Sequence, residues 1–111
     1  MARQINLTDP VTGQGYTLEF DRDSVVYAES IGFSITRVRD AVATDMTTLF
    51  RASFHKHHPG ITKDDAYAIW DRIPGKQELF EVLMDMFQEP FNALIEEPSE
   101  GDSKNVSWQV V

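Results

Sequence analysis

The chain has 111 residues, enough for one domain around a single buried core. It contains no cysteine, which excludes both a disulfide framework and a thiolate metal site. Eighteen acidic residues against ten basic ones give a formal charge of −8, a field that repels phosphate backbones and argues against nucleic-acid binding.

The first twenty residues predict a β-hairpin. Ile5 and Leu7 alternate with polar neighbours, as do Tyr16, Leu18 and Phe20, so one side of each strand faces a core. The turn formers of Thr8 to Gly15 lie between them. Two strands alone are marginal in water, so helices must cover the apolar face. Gly13-Gln14-Gly15 belongs to this turn and not to a phosphate loop, because a dinucleotide fingerprint needs a third Gly between a strand and a helix.

At Asp21 the period changes. Asp21, Asp23 and Ser24 are N-cap or first-turn residues for a helix carrying Val25, Ala28 and Ile31, and Gly32 stops it. Ser34 or Thr36 then caps a short second helix with Ile35, Val38 and Val42. Asp45 reads as the N-cap of a third, which carries Met46, Leu49, Phe50, Ser53 and Phe54 and must end by His58, ahead of Pro59. Thr62 to Asp65 resembles a capping box opening a fourth helix, with Ala66, Ile69, Trp70 and Ile73 inward and Pro74-Gly75 closing it.

The fifth and longest helix runs from about Lys76 to Ile95. Its wide apolar stripe contains Leu79, Val82, Leu83, Met86, Phe87, Phe91, Leu94 and Ile95, and Pro90 should kink or split it. The fold class expected is α+β: about five helices with an N-terminal hairpin, in one domain over residues 1–95. Residues 96–111 read as an acidic flexible tail whose end, Val106 to Val111, alternates and is β-prone, a candidate short strand.

The N-terminal residues lack the apolar stretch of a signal peptide, and no run approaches the roughly 20 apolar residues of a bilayer span, so a cytoplasmic protein without membrane contact is expected. His55-Lys56-His57-His58 is the one cluster with metal-ligand chemistry. On a helix only His55 and His58 share a face, Lys56 adds a repelling charge, and the simpler reading is a polar helix end that favours the negative dipole terminus. No carboxylate pair is flanked by anything that would tune it for acid–base work, so no catalytic residue and no cofactor are assigned. Most aromatics sit at helical spacing and read as core. Phe87, Phe91 and Trp108 lie near or beyond Pro90, where a compact core need not reach, and with Leu83 and Leu94 they form the candidate partner surface.

Taken in order, Tyr16-Thr-Leu-Glu-Phe20, Gly32-Phe-Ser-Ile35, Asp45 to Phe54, His57-His-Pro-Gly-Ile-Thr62, Asp64-Asp65 and Ile69-Trp-Asp71 resemble the tail assembly chaperones of long-tailed bacteriophages and related prophage or gene-transfer particles. The resemblance covers roughly residues 16–95. It implies a non-catalytic protein without cofactor, acting in the bacterial host cell, that coats the aggregation-prone tape measure protein before the tail tube forms around it. Recognition would be helix-in-groove with apolar anchors. The hairpin and Val106 to Val111 have no counterpart in the family pattern. Three other readings stand beside it: a structural tail or connector component that forms homo-oligomers by strand exchange through Val106 to Val111, a small metal-binding protein through His55 and His58, and an acidic DNA mimic, which scattered basic residues argue against.

Overall fold

The computed structural model describes residues 3–36, 42–97 and 104–110. The order is β1 (Ile5–Thr8), β2 (Gly15–Leu18), α1 (Arg22–Ser30), α2 (Val42–Ala52), α3 (Lys63–Asp71) and α4 (Lys76–Ile95). This is the α+β class expected, with four helices among the described residues where about five were expected. Ser34 to Thr36 hold no helix, and the remainder of the expected short second helix, up to Val42, lies outside the described residues as far as position 41.

The hairpin pairs antiparallel, Ile5 opposite Leu18 and Leu7 opposite Tyr16. Asp9 shapes its turn: the carboxylate accepts from the Val11 N–H (3.0 Å), and the carbonyl accepts from the N–H of Gly13, whose φ of +75° suits glycine. The other carboxylate oxygen of Asp9 pairs with the Arg72 guanidinium, tying the turn to the end of α3.

Local chemistry explains most helix ends. At α1 the Asp21 side chain accepts from the Ser24 N–H (2.9 Å), while the Ser24 hydroxyl accepts from the Asp21 N–H (2.7 Å), a reciprocal capping box. Its other end is a Schellman motif: Phe33 N–H to Ala28 O, Gly32 N–H to Glu29 O, and Gly32 at φ +108°. Thr62 caps α3 through the Asp65 N–H (3.1 Å). Gly75, at φ +64°, precedes α4, and the Lys76 ammonium donates to the Ile73 carbonyl in the turn between α3 and α4 (2.9 Å).

Two expectations are corrected. Asp45 is not the N-cap of its helix; α2 begins at Val42 and Asp45 is a fully buried first-turn residue. Pro90 does not split α4, which continues through it to Ile95.

The core lies where the inner face of the hairpin meets the four helices. Leu18, Val25, Leu49, Phe50, Phe54, Leu83 and Phe87 are completely enclosed. Edge-to-face aromatic contacts link the elements: Tyr16 to Phe54 (5.4 Å), Phe54 to Phe50 (5.0 Å), and Phe87 to both Phe20 (5.6 Å) and Phe33 (5.0 Å). α2 packs against α1, α3 and α4. Among the described residues no helix is long and apolar enough to cross a membrane.

Candidate functional site

α4 is longer than the body it packs on. Its inward residues Phe80, Leu83, Met86 and Phe87 are buried, and then cover runs out. Phe91 is partly buried, its ring stacked on Phe87 at 5.5 Å, while Leu94 is 42% and Ile95 66% exposed. Pro90 falls at this transition. Having no N–H, it cannot bond the Met86 carbonyl one turn earlier, so the helix is weakest where it leaves the core.

Beside the same two turns lies an open hollow of about 280 Å³. Met86, Pro90 and Ala93 form one wall and Phe20 the base, with the cations Arg3, Arg22 and Lys56 and the carboxylates of Glu19, Asp21 and Glu89 around it. Arg3 reaches Asp85 only at 3.9 Å, a loose surface pair.

The wall opposite α4 is held by Glu19. Its carboxylate is 4% exposed and accepts from Lys56 Nζ (2.7 Å), Gln4 Nε2 (2.8 Å) and His57 Nε2 (2.9 Å). Hydrogen bonding to Lys56, then to His57, holds this carboxyl down at about 2 against the opposing effect of burial. The Lys56 ammonium is correspondingly raised by its bond to Glu19. Burial works against the charge of Asp21, but bonds from the Ser24 N–H and hydroxyl outweigh it and hold Asp21 below the usual range. Glu19 accepts on both oxygens, from three donors. Glu19 therefore acts as a clasp between the end of the hairpin and the segment after α2.

A family model, the Domain of unknown function (DUF5055), matches residues 1–111. The chain belongs to the DUF5055 family. No curated protein and no solved structure matches it.

The DUF5055 fold separates the residues expected to form one partner surface. Leu83 and Phe87 are core residues with no exposure, a correction that follows from α4 packing against α1 and α2 up to Phe87. Phe91 and Leu94 do lie together at its free end, joined by Ile95. Trp108 stands apart, 83% exposed, in a segment that forms no strand among residues 104–110. Pairing is nonlocal, so the alternating pattern of that segment could not place it.

The histidines also separate. The His55 ring lies flat on Tyr27 (4.0 Å between centroids, 8° between planes), and the Nε2 lone pair of His58 accepts the Thr17 N–H at 3.0 Å. His55 and His58 are thus engaged on different partners, and no group of three or more metal-binding side chains occurs among the described residues. Sequence reading missed the hollow and the Glu19 clasp. Their residues come from four distant stretches, and Glu19, alternating with Leu18 and Phe20, reads locally as an ordinary outward strand residue.

Proposed function

We propose that this DUF5055 chain is a non-catalytic tail assembly chaperone that shields an apolar helix of the tape measure protein in the cytoplasm of the bacterial host. The observation carrying this reading is the free end of α4, where Phe91, Leu94 and Ile95 continue the core stripe into solvent beside a hollow walled by Met86, Pro90 and Ala93. An amphipathic partner helix laid there would extend the apolar contact of α4, with its polar side chains meeting the mixed rim of Arg3, Arg22, Asp21 and Glu89. The net charge of −8 would keep the complex dispersed.

Co-expression with the tape measure protein of the same genome tests this. The wild-type chain should keep the partner in the soluble fraction, and Leu94→Asp with Ile95→Asp should lose at least tenfold of that yield while the variant's own helical circular dichroism stays unchanged. An insoluble partner with the wild-type chain counts against the chaperone role. Equal rescue by the double variant counts against this surface.

A further inference from the structure

The two edges of the hairpin are treated differently. On β2 the outward N–H of Thr17 donates to the His58 ring and that of Glu19, just past the strand, to the Ser53 carbonyl (3.0 Å), so the segment after α2 closes that edge. Because Thr17 turns its backbone away from β1, the Asn6–Thr17 pair is of the non-hydrogen-bonded kind, and Asn6 and Thr8 turn their own backbone groups to the other side. Among the described residues, no hydrogen bond outside the strand pair involves those backbone groups. An open edge of this kind is a template for another strand.

Next to it lies a second hollow, of about 190 Å³, between Leu7 and Pro10 of the hairpin and Ile69, Ile73 and Pro74 of α3 and the turn after it. The same chain carries a segment suited to both features. Val106, Trp108 and Val110 alternate with Ser107 and Gln109, and the three apolar residues are 83–89% exposed. Five strand residues span about 17 Å at roughly 3.3 Å each, which covers the four residues of β1. In that position the apolar face would continue the face of Ile5 and Leu7, with the Trp108 indole over the second hollow. Among the described residues the sheet has two strands only, and this segment is not one of them.

We infer that Val106–Val110 of one copy adds as a third strand to the β1 edge of a second copy, with Trp108 seated between Leu7, Ile69 and Ile73. This contact is independent of the α4 surface. The chain's lack of cysteine gives a clean background for cross-linking. A Thr8→Cys chain mixed with a Ser107→Cys or a Gln109→Cys chain should give a disulfide-linked heterodimer under mild oxidation, in at least one of the two pairings. Adding Trp108→Ala should reduce its yield at least fivefold. Sedimentation of the unmodified chain should show a concentration-dependent dimer that a chain ending at Glu97 does not form. The inference is overturned by a monomer at all concentrations up to about 100 µM, by no heterodimer in either cysteine pairing, or by a heterodimer indifferent to Trp108→Ala. Loss of dimer with tape measure rescue intact would separate this contact from the chaperone reading.

Discussion

Glu19 shows how much one buried carboxylate can organise. Residues 15–20 place it just beyond β2, where its N–H closes on Ser53 and its side chain gathers Lys56, His57 and Gln4. The folded carboxyl titrates near 2 and the unfolded one near 4.5, so the folded chain binds fewer protons between those values. The clasp therefore stabilises the fold fully above about pH 4.5, and that contribution disappears as pH falls toward 2. Glu19→Gln should cost about 1–3 kcal/mol at neutral pH, the range for losing a charged hydrogen-bond partner in a buried site. It should also flatten the decline in thermal midpoint between pH 4.5 and 2.5, read by circular dichroism. An unchanged decline would assign it to other carboxylates. None of this was legible in the sequence, because the partners lie 15, 37 and 38 positions away. The histidines teach the same lesson in reverse: their adjacency is a property of the chain, while each ring is claimed by a different neighbour.

At the scale of elements, legibility follows locality. The hairpin, α1, α3 and α4 declare themselves through period, caps and punctuation within a few residues: Asp21 with Ser24, Gly32, Thr62, Pro74-Gly75. The start of α2 does not, since an acid in a buried first turn and an acid at an N-cap look alike until burial is known. Pro90 is the sharpest case. A proline within a helix normally costs about 3 kcal/mol or more, which favours a break, yet α4 continues because Met86 and Phe87 anchor one side of it and Phe91 stacks back on Phe87. Pro90→Ala restores a donor for the Met86 carbonyl. It should raise stability by about 1–3 kcal/mol in urea unfolding with an unchanged slope. If this weakened turn serves partner binding, the same change should leave stability higher and affinity lower.

For the whole molecule, the main consequence of the fold is that a single apolar stripe on α4 has two jobs divided at Phe87. Toward the N-terminus it is the central core: Phe87 meets Phe20, Phe33 and Phe91 from three directions. Beyond it the stripe meets solvent. Sequence periodicity gives the stripe but not the division, because the point where cover ends depends on how far the hairpin and α1 extend along α4. The division has a measurable form. Phe87→Ala leaves a cavity among Phe20, Phe33 and Phe91 and should cost about 3–5 kcal/mol. Leu94→Ala, 42% exposed, should change stability by no more than about 0.5 kcal/mol. Denaturant midpoints of the two variants read this directly. A binding defect in a Phe87 variant would then report unfolding, whereas one in a Leu94 variant at full stability would report the surface itself. Equal costs at the two positions would mean that the end of α4 is packed in solution, against another part of this chain or a second copy, and that the stripe has no free half to offer a partner.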